Sequence, residues 1–394
     1  MVMGKRKRCW GLFVCCLLCF ILHGRAEAAE ESFSAIICSD LHYTKKQVSS
    51  VIVSGMELCD EIADTIMTEV IGRRPDMFLM LGDNTNSGNA EDMLALVEKI
   101  QRVKDAGIQV VVITGNHDFD HALPEDFEEA YYSLCSPVER DEASLSYVAE
   151  AGEVVLLAMD DNSDSLGRMG SFSVDTLRWL GRMLDKYQDR PMVFLSHHNV
   201  LLGKDAERSE TYRIQNAQLP QVLEKYGVCL CLTGHLHSQN VVEEAGMYEV
   251  VNATPLSAPH HLGFLEMKEG EGFYHIEPID FESYGEGDLA ERMHDTDERS
   301  ALASRESMAS TVAKSDFSAE DQEKIVDLVM KFMSYYAQGI LGSHLSEIKE
   351  DESCEKMIEA LWDYNYGPWI YSTLEGSPMV ASELLFSYGE GAVE

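Results

Sequence analysis

Positive charge is what this chain has least of. Its 394 residues carry 31 Lys and Arg against 68 Asp and Glu, a formal net charge of −37. Residues 1–28 hold five of the basic residues and one Glu; without them the balance is 26 basic against 67 acidic, or −41. Such a surface repels polyanions, which excludes the basic patches on which non-specific nucleic-acid binding runs. Beyond residue 28 no apolar run reaches the roughly 20 residues that a membrane-spanning helix needs, so no span is expected there. There is no Gly-x-Ser-x-Gly nucleophile elbow, which sets aside a Ser-His-Asp triad built around Ser196. The cysteines beyond residue 28 are Cys38, Cys59, Cys135, Cys229, Cys231 and Cys354, and their spacing fits neither a disulfide framework nor a zinc pattern. They read as small buried apolar residues, and neither Cys135 nor Cys231 has an activating neighbour that would make it a nucleophile.

The opening segment is of another kind. Lys5, Arg6, Lys7 and Arg8 precede an apolar run from Trp10 to Leu22, followed by Ala26-Glu27-Ala28 in the small-x-small form of a signal peptidase site. Residues 1–28 are therefore expected to be a secretory signal peptide, with an uncleaved N-terminal anchor as the alternative. The apolar fraction of 45% is ample for one large domain and a smaller appendage.

Five polar clusters then recur in order: Asp40-Leu41-His42, Gly82-Asp83-Asn84, Gly115-Asn116-His117-Asp118, Ser196-His197-His198 and Gly234-His235-Leu236-His237. Each follows a short apolar run, near Ala35–Cys38, Met77–Leu81, Val110–Thr114, Met192–Leu195 and Val228–Leu232, so each is expected at the end of a strand on a common rim. Helical stretches such as Asp92–Val103 and Val174–Tyr187 alternate with these strands and with Val154–Met159, which implies a layered α/β fold with largely parallel pairing. Oxygen and nitrogen donors without thiolates suit a pair of Mn, Fe, Co or Zn ions better than a closed structural zinc site. Two such cations need one shared anion, with imidazoles and carbonyls completing each shell. The four-residue run from Gly115 to Asp118 alone would arise by chance in a chain this long about one time in a thousand.

The order and spacing of these clusters, from about residue 33 to 280, closely resembles the calcineurin-like metallophosphoesterase family. The resemblance implies two mixed sheets packed face to face between helices, an α/β/β/α sandwich with metals at the strand ends. It also implies that Asp40, His42 and His237 hold one metal, that Asn116, His197 and His235 hold the other, and that Asp83 bridges them. His117 would bind no metal but would act on the leaving-group oxygen. The choice of His197 over His198 follows from alignment with the family pattern. Asn86 stands where the family's namesake has an Asp paired with this histidine, so His117 is expected without that carboxylate partner.

Short β segments follow, at Tyr248–Val251 and Gly272–Ile276. Residues 281–317 are Ser-rich, charged and poor in apolar periodicity, and are expected as a linker. In the region 318–394, Ser318 and Asp321 read as a helix cap ahead of Ile325, Leu328, Val329, Phe332 and Tyr336 at helical spacing, and a second amphipathic run holds Ile348, Met357, Leu361 and Trp362. This is expected as a helical appendage. His260 and His261 read as an exposed loop pair, and Asp160, Asp161 and Asn162 as turn residues.

Taken together, these readings predict an exported enzyme that hydrolyses a small phosphodiester, such as a cyclic nucleotide or a glycerophosphodiester, by attack of a hydroxide bridging two metals. The diester preference comes from family analogy. A phosphomonoesterase using the same site is the alternative, and a non-catalytic metal-binding scaffold the more distant one.

Overall fold

Alternation along the central strands shows how the layers form. In the segment from Val154 to Ala158, Val154, Leu156 and Ala158 join one apolar cluster while Val155 and Leu157 join another. Val193 and Leu195 face the first cluster, Met192 and Phe194 the second. Successive side chains of a strand point to opposite faces, so a strand apolar at every position must be covered on both. The first cluster runs through the space between the two sheets and on under the helices of the first sheet; the second lies beneath the helix Val174–Tyr187, whose Trp179, Leu180, Met183 and Leu184 pack there.

The computed structural model describes residues 32–46, 54–162, 169–201, 213–244 and 246–389. The expected signal peptide, residues 1–28, lies outside them. The strands, in chain order, are β1 (Ser32–Cys38), β2 (Met77–Leu81), β3 (Gln109–Ile113), β4 (Glu139–Arg140), β5 (Tyr147–Ala151), β6 (Val154–Ala158), β7 (Met192–Leu195), β8 (Leu230–Thr233), β9 (Asn240–Glu244), β10 (Met247–Val251), β11 (His261–Lys268), β12 (Glu271–Pro278) and β13 (Glu383–Ser387). One sheet runs β13-β12-β11-β1-β2-β3 and the other β4-β5-β6-β7-β8-β10-β9. Both are mixed: β1, β2 and β3 pair in parallel, as do β6, β7, β8 and β10, while the flanking pairs are antiparallel. The helices Cys59–Arg73 and Ala90–Asp105 cover the first sheet through Ile62, Ile66, Val70, Leu96 and Ile100. This is the expected sandwich of two mixed sheets between helices. The parallel strands of both sheets end on one rim, where the five polar clusters begin.

Three expectations are corrected. The stretch 281–317 is not a linker: it contains the helices Phe281–Tyr284 and Leu289–Val312. The long helix starts with Leu289 and Met293 in the main core and ends with Met308 and Val312 in the appendage core, so it is a strut joining the two. Its buried apolar residues sit only near the ends, and the exposed middle, Leu302 included, breaks the periodicity that would reveal it. The region 318–394 is not wholly helical either, because β13 returns to the main sheet and pairs with β12 from Glu271↔Ser387 to His275↔Glu383. Finally, His260 and His261 are buried. His260 Nε2 lies 2.9 Å from Asp297 Oδ1 on the strut helix, and His261 Nε2 lies 3.2 Å from Gln239 Oε1.

The appendage otherwise follows its periodicity. Ser318 caps the helix Ala319–Ala337 by accepting from the Asp321 N–H, and Ile325, Leu328, Val329 and Phe332 are buried in a core shared with Ile348, Met357 and Leu361. Trp362, by contrast, is exposed. The six cysteines among the described residues are buried as free thiols. No helix among the described residues is long and apolar enough to cross a membrane.

Candidate metal centre

The turns that end the strands are unusually sharp. Asp40, His42, Asp83, His235 and His237 all adopt left-handed backbone, with φ of 53°, 43°, 46°, 70° and 52°. Non-glycine residues avoid this region unless the surroundings enforce it, and such strain gathers at functional sites. Two glycines allow the turns to nest. A methyl group at Gly115 would overlap the Asp83 backbone nitrogen and carboxylate, and one at Gly234 would overlap the Ser39 hydroxyl and the Asp40 carboxylate.

The turns converge on two groups of side chains with the spacing to hold a metal ion each: Asp40, His42, Asp83 and His237, and Asp83, His197 and His235. In the first, His42 Nε2 lies 2.9 Å from His237 Nε2, and His237 Nε2 lies 3.4 Å from Asp40 Oδ1. In the second, His197 Nε2 lies 3.3 Å from His235 Nδ1. Asp83 belongs to both, its Oδ2 lying 3.6 Å from His42 Nε2 and 3.3 Å from His197 Nε2. His197 Nδ1 lies 2.9 Å from the Leu81 carbonyl, a contact that fixes the tautomer and leaves Nε2 as the donor. Asn116 Oδ1 is buried with no hydrogen-bond partner. A buried acceptor without a donor is costly, and a cation beside it would remove that cost. On that observation, and on the all-oxygen and nitrogen donor set, the residues fit a pair of metal ions.

The electrostatics point the same way. Burial pushes the Asp83 carboxyl up, but His197 and His42 outweigh it and hold it well below the ordinary carboxylate range. Burial likewise opposes ionisation of Asp40, yet the hydrogen bond and charge of His237 bring it to about 2. For His197 burial favours the neutral form, but Asp83 pushes it up to about 10. Burial keeps His42 down at about 4. The pocket thus favours positive charge between its carboxylates, whether a proton or a metal ion carries it.

His197, rather than His198, faces Asp83. His198 stands behind, its ring 4.2 Å from that of His235, and Asp161 Oδ2 accepts its backbone N–H at 2.9 Å. His117 lies outside both groups and is half exposed; its backbone N–H donates to Asp83 Oδ1 at 2.8 Å. The expectation that it lacks a carboxylate partner is corrected: its Nδ1 lies 3.0 Å from Asp120 Oδ2, one turn along a 3-10 helix. The motif places no ligand at Asp120, so only the helical turn reveals the pairing.

Several supporting residues escape sequence reading. Asp160, Asp161 and Asn162 are buried braces, with Asp160 Oδ1 accepting from Thr114 Oγ1 at 2.6 Å and Asn162 Nδ2 donating to the Thr114 carbonyl at 3.0 Å. Gln239, two residues past His237, donates to the Ala381 carbonyl at 2.9 Å and to Tyr274 Oη at 3.2 Å, tying the last ligand turn to the C-terminal segment. Asp118, the last residue of the Gly-Asn-His-Asp run, accepts from Asn84 N and Nδ2, Thr85 N and Oγ1, and Gly115 N. Burial first, and then the charge of Asp83, raise it to about 6 despite these donors. Asp118→Ala leaves those buried donors without an acceptor, at about 1–3 kcal/mol for each that finds no water. A loss on the order of 4 kcal/mol in urea unfolding is therefore expected; a loss below about 1 kcal/mol would show that the turns hold without it.

Residues 33–239 match the family described as calcineurin-like phosphoesterase. A probable glycerophosphodiester phosphodiesterase of Arcobacter nitrofigilis is 26% identical over 207 residues, 52% of this chain and 71% of that protein. A probable cyclic nucleotide phosphodiesterase of Moraxella catarrhalis is 25% identical over 180 residues, 45% of this chain and 63% of that protein. Among solved structures, a dimetal phosphatase from Danio rerio shares the fold with a TM-score of 0.51 at 14% identity, covering 63% of this chain and 96% of that one.

Proposed function

As the chain belongs to the calcineurin-like phosphoesterase family, we propose that it hydrolyses a small phosphodiester at a two-metal centre held by Asp40, His42, Asp83, Asn116, His197, His235 and His237. The observation that carries this reading is the shared carboxylate: Asp83 Oδ2 lies within 3.6 Å of His42 and 3.3 Å of His197, one from each ligand group. When bound, two such ions supply Lewis acidity toward phosphoryl oxygens and acidify the attacking water to near neutrality. The protein's own contribution is to fix the ligands from five strand ends and to place His117 beside them. With Nδ1 held by Asp120, His117 presents Nε2 to the departing oxygen and gives it a proton. No side-chain nucleophile is required.

Two considerations favour a small diester. The two curated relatives are both named as phosphodiesterases. The formal charge of −37 disfavours polyanionic substrates, whereas a small ester reaches a pocket whose field is set by the cations. The charged and apolar opening of the chain supports export of the enzyme.

The test is turnover of paired chromogenic monoester and diester phosphates by purified protein, with metals counted in the same sample. Two metals per chain with faster diester turnover is the expected result. Two metals with faster monoester turnover would transfer the assignment to a nucleotidase-like activity, and two metals with turnover of neither would overturn the catalytic reading.

A further inference from the structure

We infer that Glu249, on β10, is a positioning residue for the second ligand group: its buried carboxylate locks the loop that follows His197 to the strand end that carries His235. The inference rests on the two-metal reading above.

Glu249 is fully buried in a strand whose other buried residues, Met247, Val250 and Val251, are apolar. Packing alone would be served by Val or Ile at this position. Burying a carboxylate is expensive unless every acceptor site is used, and here the sites are used on one task. Oε1 accepts from the Val200 N–H at 2.9 Å, from Thr233 Oγ1 at 2.8 Å and from Asn199 Nδ2 at 3.3 Å. Oε2 accepts from the Leu201 N–H at 2.8 Å. Asn199 Nδ2 also donates to Thr233 Oγ1 at 3.0 Å, which closes the network. Three donors belong to the residues just after His197-His198, and the fourth belongs to Thr233, two residues before His235. The parallel register pairs Glu249 with Cys231 on β8, beside the end of the strand it braces. The two loops also touch directly, the Gly234 N–H donating to the His197 carbonyl at 3.0 Å. Glu249 therefore sets the relative position of two imidazoles whose nitrogens lie 3.3 Å apart. Residues that orient metal ligands from behind typically matter by about 10–100-fold in metal affinity.

The experiment is Mn titration of full-length wild type, Glu249→Gln and Glu249→Asp, with the two binding steps resolved by equilibrium dialysis and by the spin-coupled signal of a Mn pair. Glu249→Gln keeps the shape but turns one acceptor into a donor facing donors. The expected result is one binding step weakened about 10–100-fold with the other unchanged, activity recovered at high Mn, and partial rescue in Glu249→Asp. If Glu249→Gln does not fold, the aspartate variant carries the test, since it keeps the charge and withdraws it by one methylene. Unchanged affinities in the folded variants, or equal weakening of both steps, would overturn the role of Glu249 while leaving the two-metal reading intact. A wild-type protein that binds fewer than two Mn would instead overturn that reading, and this role with it.

Discussion

Asp83→Asn is expected to leave the purified protein with fewer than two metals per chain and to lower kcat/KM by about 10³-fold or more. The reason lies in the geometry of one carboxylate. Asp83 Oδ1 accepts the His117 N–H at 2.8 Å, so Oδ2 is the atom that faces His42 and His197. Asparagine has one acceptor. If its carbonyl oxygen stays with the His117 N–H, its amide group points positive hydrogens into the space meant for cations; if it flips, the His117 turn loses its anchor. Either way the formal charge shared by both groups is gone, and two divalent cations held by these groups would lack the anion that offsets their mutual repulsion. Several kcal/mol of transition-state stabilisation depend on those ions, and each 1.36 kcal/mol is a factor of ten in rate. Elemental analysis beside steady-state kinetics checks this. A variant that keeps two metals and near wild-type turnover would remove Asp83 from the bridging position.

His117→Ala should separate chemistry from metal binding. The side chain belongs to neither ligand group and is half exposed, so its removal is expected to leave metal content and folding unchanged. The rate should fall by about 10²–10⁴-fold with esters that release a poorly stabilised alkoxide, the range for a lost general acid. With a nitrophenyl ester, whose leaving group departs without a proton, the loss should shrink markedly. This dependence on the leaving group distinguishes proton donation from a role in substrate binding, which would affect both esters equally. Equal losses with both, or none with either, would put the proton donor elsewhere. Asp120→Asn, which weakens the hold on Nδ1, should show the same dependence with smaller losses.

Much of the site is legible in the linear chain because its signals are local. A strand that ends in a Gly-Asp or Gly-Asn-His-Asp turn announces itself within a few residues, and five such endings in one chain place themselves on a common rim once the strands alternate with helices. The supporting residues are not legible in this way. Glu249 is one acid within Met-Tyr-Glu-Val-Val, and nothing in that string separates it from a solvent-facing residue until the loop from Asn199 to Leu201 arrives beside it. Asp120 and Gln239 are ordinary polar residues until a turn and a C-terminal segment bring their partners within reach.

The same contrast governs the C-terminal part. The helix Ala319–Ala337 carries its cap and its apolar stripe in its own sequence, whereas the helix Leu289–Val312 is held at its two ends by two different cores. Its sequence carries no continuous apolar stripe, because the middle faces solvent. The short strand β13 takes its meaning from the edge of β12 to which it adds.

By itself, then, the sequence determined the layered class of the fold and placed five polar clusters at strand ends, because strand period, turn chemistry and donor type are encoded over a few neighbouring residues; which of those side chains would share a metal followed from the family resemblance. The tertiary structure alone decided which carboxylate oxygen faces both ligand groups and which buried glutamate fixes the imidazoles. Those assignments depend on distances between segments that are far apart in the chain, more than a hundred residues for Asp83 and His197, and only the folded chain sets such distances.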